Sequence, residues 1–248
     1  MNRLQRALKK YGVRGTLSRI PNFIRSRIKR FRLHPTVLTR FGVTRARWQK
    51  FQIEHELDFW NNNNSYDSLD GFASFREKYF ARNKDKFQNI SLDFPGCTVI
   101  DIGCGPDAGF LPFINAKYKL GLDPLAEDYA KNYSFDKDIT MLVSMAEDIP
   151  LLPESVDACY CINALDHVMR PSAALKEIYR ILKRGGYLAF SVDIGGAKGH
   201  PVKIYEKDLN SFFQKHPFQI LERKCDTEDS AWGKEANIPL FVFQGYKL

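Results

Sequence analysis

The first 53 residues contain no Asp or Glu. They hold 15 of the chain's 37 Lys and Arg, all within residues 1–50, and the first acid is Glu54. The formal net charge of +8 over 248 residues is therefore an N-terminal property. From residue 51 onward, 22 basic side chains stand against 29 acidic ones, a net of −7. A chain basic throughout would point to nucleic acid. A basic arm on a mildly acidic body carries no such message for the body.

The chain also lacks any run near the ~18 uncharged apolar residues that a membrane-spanning helix needs. A secretory signal needs a continuous apolar stretch, and here the apolar residues of the start are interleaved with Arg and Lys. An Arg-rich, acid-free start matches an organelle transit peptide in composition, and that reading stays open. Cysteines are few and odd in number: Cys97, Cys104, Cys159, Cys161 and Cys225. Cys159 and Cys161 fall on one face of a strand, with no second pair to complete a zinc site. Buried free thiols in a reducing, cytoplasmic compartment are the expectation. No His, Asp or Glu group has metal-ligand spacing along the chain, so no metal is expected. There is no internal repeat and no low-complexity tract.

What is present suffices for a core, at 44% hydrophobic residues. Residues 1–35 read as a basic arm of two short amphipathic helices. Leu4, Leu8 and Tyr11 share a face, and Leu17, Ile20, Ile24, Ile28 and Phe31 continue at helical spacing. Residues 36–95 are polar and aromatic-rich and read as helices interrupted by an Asn61–Ser65 loop. Trp60, Phe72, Phe75 and Tyr79 there suit an apolar lid over a site, or plain packing onto a sheet.

From residue 96 the pattern alternates. Strands are predicted at "CTVID", "YKLGLD", "ITMLVS", "VDACYCIN" and "YLAFSVD", with helices between them. The clearest helix is Pro171–Leu182, with Ala174, Leu175, Ile178, Ile181 and Leu182 on one face. Strand–helix alternation implies a parallel sheet covered on both sides. "FQILERK" and "PLFVFQGYKL" follow without a helix between them, which suggests an antiparallel finish.

The chemistry centres on Asp101-x-Gly103-x-Gly105, expected as a turn between a strand and a helix. Glycines admit a ligand close to the backbone, and a helix start offers free N–H groups. Asp123, at the end of the second strand, can accept both hydroxyls of a ribose. The glycine spacing alone also satisfies a relaxed dinucleotide fingerprint. Asp101, however, would repel a pyrophosphate and suits a cationic amino-acid moiety.

The segments "VIDIGCGP", "GLDP", "AEDIPL" and "LKEIYRILKRGGYLAF" occur in one order and spacing. With them, residues 96–248 resemble the class I S-adenosylmethionine-dependent methyltransferases of the small-molecule and glycan group. The resemblance implies an α/β, Rossmann-like fold: a mostly parallel seven-stranded sheet with an antiparallel last strand, here behind an N-terminal helical extension. It implies S-adenosyl-L-methionine as cofactor. Asp101 would face its amino group, with Gly103, Cys104 and Gly105 forming the turn beneath it. Asp123 would take the ribose, Met145, Ala146 and Glu147 would flank the adenine, and Asn163 would approach the methionine end. Many relatives have Asp where Met145 stands, so Glu147 or Asp148 compensates or Met145 only packs against the ring.

A hydroxyl acceptor usually needs a base. His167 lies after the fourth strand and His200 after the fifth, and either fits. Asp166, Asp193 and Tyr205 are weaker candidates, and a packing or capping role competes for both histidines. The sequence after Asn163 lacks the Pro-Pro-aromatic element of amino-methylating DNA enzymes. The Pro-Cys element of cytosine enzymes and the double-Glu loop of protein arginine enzymes are absent too. A small-molecule or glycan acceptor, O-methylated by in-line displacement, is the leading expectation. An RNA methyltransferase gripping through the arm and a non-catalytic domain of the same fold are the alternatives. The apolar stripe in residues 1–33 favours lipid or protein contact over RNA; peripheral attachment to an anionic membrane surface is one reading of the arm, and a solvated or packed extension with no such role is another.

Overall fold

In a computed structural model, the protein is described at residues 53–60, 69–196, 200–226 and 238–248. The basic arm, Trp48, the Asn61–Ser65 loop and residues 227–237 lie outside the described residues, as does the side chain of Phe72.

Seven strands form one sheet in the order β3-β2-β1-β4-β5-β7-β6. They are β1 (Asp93–Ile102), β2 (Asn115–Leu122), β3 (Ile139–Leu142), β4 (Val156–Ile162), β5 (Leu182–Asp193), β6 (Phe218–Asp226) and β7 (Leu240–Lys247). Pairings from β3 through β5 are parallel. β7 runs antiparallel to both β5 and β6. The central strands are buried on both faces and read as near-continuous apolar runs, as parallel strands must; β4, "VDACYCI", is buried at all but Asp157.

Among the described residues the α-helices are a segment over residues 53–60, then α1 (Leu69–Lys84), α2 (Ala126–Tyr129), α3 (Pro171–Ile181) and α4 (Glu206–Lys215). α3 starts on Pro171, where a missing N–H costs nothing, and buries Ala174, Leu175, Ile178 and Ile181 against the sheet. Leu182 belongs to β5 rather than to the helix, and β1 begins at Asp93, earlier than the sequence pattern marks. One core layer joins α3 and α4 to Ile100, Ile102, Phe190 and Phe241. The other joins Phe110, Leu111 and Tyr160 to Phe87 and Ile90.

One expectation is corrected. The glycine turn does not run into an α-helix. Residues 103–110 are turns, closed by a single 3-10 turn at Leu111–Phe113 before β2 starts at Asn115. Positive φ at Gly105, Ala108 and Gly109 keeps the chain out of a regular helix, and a crossover this short leaves little room for one. The thiols are also less uniformly buried than expected: Cys104, Cys159 and Cys161 are buried, Cys97 is half-buried and Cys225 is exposed.

Candidate active site

Strand order reverses between β1 and β4, and the crevice beyond the carboxyl ends of those strands is where open α/β sheets bind ligands. A cavity of about 490 Å³ opens there. Its floor is the glycine turn, tied to the end of β2 by Gly103 N–H donating to Leu122 O at 2.7 Å. Gly103 and Gly105 both have positive φ, but for different surroundings. A Cβ on Gly103 would collide with Ala164, whereas one on Gly105 would meet nothing closer than Asp107 Oδ1 at 3.4 Å. Gly103 is thus required by packing, and Gly105 leaves space for a ligand.

Cys104, Gly105, Asp123, Met145, Ala146, Glu147, Asn163, His167 and His200 all line the cavity, as does Gly103. Asp101 does not. Positive φ at Ala108 and Gly109 folds the chain back, so that Phe110 N–H donates to Asp101 Oδ2 at 2.9 Å. The expected partner of a cationic group is thereby turned beneath the floor. Asp107 lines the cavity in its stead. Its Oδ1 accepts Gly109 N–H at 3.3 Å, and its Oδ2 is buried without a hydrogen-bond partner. The sequence reading missed this residue, although an acid inside "GCGPDAG" was visible.

Asp123 accepts Gly105 N–H at 3.0 Å and Leu125 N–H at 2.9 Å. Burial pushes its carboxyl up to about 6, against those two hydrogen bonds. Burial likewise raises Asp107 to about 7 and Asp101 to about 7. Glu147 accepts the Arg170 N–H at 3.0 Å, at the start of α3. Asn163, also at positive φ, donates its N–H to Ser191 O at 2.9 Å and buries Oδ1 without a partner.

At the far side of the cavity two histidines meet. The His167 and His200 rings lie 4.4 Å apart, centroid to centroid, at 54°. His200 Nδ1 hydrogen-bonds Asp166 Oδ2, and Asp193 Oδ2 is 4.0 Å from the same nitrogen. His167 Nδ1 is 2.9 Å from Glu56 Oε1. Chain spacing offered no metal pattern, yet Asp166, His167 and His200 each bring a donor atom to within 4.8 Å of the others, a set compatible with a divalent ion. Tyr205 is half exposed at the start of α4 and does not line the cavity.

Of the four aromatic residues that suit either a lid or plain packing, Phe72 has its side chain outside the described residues. Trp60 and Tyr79 line the cavity, while Phe75 stands 6.2 Å from the Trp60 ring and 6.0 Å from the Tyr79 ring. Carboxylates dominate the polar lining: Glu56, Asp107, Asp123, Glu147 and Asp193. Among the described residues no Lys or Arg lines it. Such a cavity attracts cationic groups and repels phosphates.

Residues 100–190 match the family model described as a methyltransferase domain. The chain is 26% identical over 209 residues to the ubiquinone biosynthesis O-methyltransferase of Pseudomonas savastanoi pv. phaseolicola, covering 79% of this chain and 84% of that one. The fold superposes on an S-adenosylmethionine dependent methyltransferase from Listeria monocytogenes with a TM-score of 0.53 at 18% identity, covering 69% of this chain and 99% of that one. It superposes on the 4+2 cyclase SpnF with a TM-score of 0.51 at 17% identity, covering 70% and 80%. At such identities the superpositions speak for the fold, and the fold hosts more than one reaction.

Proposed function

From the premise that this chain carries a class I S-adenosylmethionine-dependent methyltransferase domain, we propose that it O-methylates a small hydroxylated molecule or a glycan. The observation that carries the cofactor reading is the lining itself: Asp107 and Asp123 beside the glycine turn, with no described Lys or Arg lining the cavity. A dinucleotide would bring a pyrophosphate to that turn, whereas S-adenosylmethionine brings an ammonium and a sulfonium.

In this reading Asp107 takes the methionine ammonium, the role the family resemblance gave to Asp101. Asn163 Oδ1 reaches the same end of the cofactor. Asp123 accepts the ribose hydroxyls, and Met145, Ala146 and Glu147 flank the adenine. Gly103, Cys104 and Gly105 form the floor. The cofactor, when bound, supplies the electrophilic methyl group. The chain's own residues orient the acceptor, exclude water and remove a proton. His167 is the general base, and His200, held by Asp166, is its neighbour at the acceptor end. The relative named as an O-methyltransferase supports a small acceptor with an oxygen nucleophile.

Calorimetry with S-adenosylhomocysteine tests the cofactor: one site of micromolar affinity is expected, and tighter binding of NAD would sink the reading. A screen with labelled cofactor over hydroxylated metabolites, lipid-linked sugars and RNA tests the acceptor. Transfer to RNA alone would favour the arm as a nucleic-acid grip. Cofactor binding without transfer to any of them would favour a non-catalytic domain.

The arm belongs to a second proposal, attachment to an anionic membrane surface. It rests on the alternation of Leu and Ile with Arg and Lys in residues 1–33. Among the described residues no helix is long and apolar enough to cross a membrane. Equal co-sedimentation with anionic liposomes by the full chain and by a chain starting at Thr36 would remove the idea.

A further inference from the structure

The cavity has a roof from a distant part of the chain. In the helical segment over residues 53–60, Ile53, Glu56 and Trp60 follow one another at i, i+3 and i+7, the spacing of one helix face, and all three line the cavity. Trp60 sits over the glycine turn, with its Cζ2 3.9 Å from where a Gly105 Cβ would be. Glu56, one turn earlier, reaches the opposite end and meets His167 Nδ1 at 2.9 Å. The same helix face therefore touches the turn proposed to hold the cofactor and the histidine proposed to take the acceptor's proton.

A neutral imidazole can accept a proton at one nitrogen only if the other already carries one. The partner of that second nitrogen decides which tautomer is present. Glu56 Oε1 lies 2.9 Å from His167 Nδ1, and a carboxylate can only accept, so in the neutral imidazole this contact selects the tautomer with the hydrogen on Nδ1 and the lone pair on Nε2. Nε2 lies 3.9 Å from Asp166 Oδ1, a buried oxygen without a hydrogen-bond partner.

We propose that Glu56 is the positioning residue for His167, and that the base is assembled only when the helix over residues 53–60 is seated on the cavity. Closure then does two things at once: it excludes water from the site, and it sets His167 in the tautomer able to take a proton from an acceptor hydroxyl. The proton moves from acceptor oxygen to Nε2, the charge on the imidazolium is balanced by Glu56, and the acceptor oxygen bonds to the methyl carbon as the carbon–sulfur bond breaks, its electron pair staying on sulfur in the departing S-adenosylhomocysteine. An open site holds a histidine without its orienting carboxylate. The proposal rests on the reading of His167 as base.

The test needs no acceptor. Long-range ¹H–¹⁵N spectra of the full chain, saturated with S-adenosylhomocysteine at pH 8, report which His167 nitrogen is protonated, with His167→Gln used to assign the signals. The wild type is expected in the Nδ1–H tautomer. Glu56→Ala is expected to lose that preference, and Glu56→Asp to restore it in part. Trp60→Ala, which leaves Glu56 in the chain but unseats the helix, is expected to lose it as well. Calorimetry on the same samples should show S-adenosylhomocysteine affinity within about threefold for the two Glu56 variants, which separates positioning from misfolding. An Nε2–H tautomer in the wild type, or an unchanged tautomer in Glu56→Ala, overturns the proposal. An unchanged tautomer in Trp60→Ala overturns the coupling to the helix. Failure of the wild type to bind S-adenosylhomocysteine would instead strike the methyltransferase reading.

Discussion

The Phe110 N–H donates to Asp101 Oδ2 at 2.9 Å, nine residues back along the chain. That bond holds the first acid of the glycine motif off the cavity lining, and Asp107, itself buried, lines the floor. Gly109 makes the arrangement possible. Its φ is +57°, and a Cβ there would run into Asp101 Oδ2.

Gly109→Ala is therefore expected to destabilise the fold by roughly 1–3 kcal/mol, from the strained backbone and the collision together. Urea unfolding should show a lower midpoint at unchanged slope. An unaltered midpoint would mean that the turn relaxes freely.

Asp123→Ala is expected to weaken S-adenosylhomocysteine binding by about 1–3 kcal/mol, through loss of charge-assisted hydrogen bonds to the ribose. Two backbone N–H groups also lose their acceptor, so Asp123→Asn serves as a milder companion. Unchanged calorimetric affinity in both variants would show that the ribose lies elsewhere.

Burial raises Asp101 and Asp107 to about 7 and Asp123 to about 6. A carboxyl raised on folding costs stability when ionised, and that cost is relieved as pH falls through the raised values toward the ordinary ~4. The ligand-free protein is expected to melt higher at pH 6 than at pH 8. S-adenosylhomocysteine, whose ammonium would favour the ionised Asp107, should narrow the difference, and so should Asp107→Asn. A melting temperature equal at both pH values, with and without ligand, would contradict this.

The strands were legible because apolar runs bounded by Gly, Pro and Asp are local signals, and the antiparallel finish because no helix separates the last two. Asp123 was legible for the same reason, since it closes a strand. The turns replacing a helix after Gly105 were not, because positive φ at Ala108 has no signature in an Ala. The Glu56–His167 pair was invisible, since the two residues are 111 positions apart. The His167–His200 contact joins loops after different strands and could be read only as two separate candidates.

His167→Ala is expected to abolish methyl transfer while leaving S-adenosylhomocysteine affinity within a few-fold of the wild type. Retained turnover in the acceptor assay would reject His167 as the base.

No metal is required by this scheme, because the sulfonium is already an activated electrophile. Turnover is expected to survive exhaustive chelation. A loss restored by a divalent ion, and absent from His200→Ala, would reassign Asp166, His167 and His200 as its ligands.

The insertion of β7 between β5 and β6 has a consequence for synthesis. β6 joins the sheet only through β7, yet it leaves the ribosome first. Until β7 is made, β5 has an unpaired edge, and β6, which carries Ile220 and Leu221, has no strand to pair with. Both are openings for mispairing with another chain. The growing polypeptide is therefore expected to be most aggregation-prone in the interval between those two strands, which is where a nascent-chain chaperone would matter most.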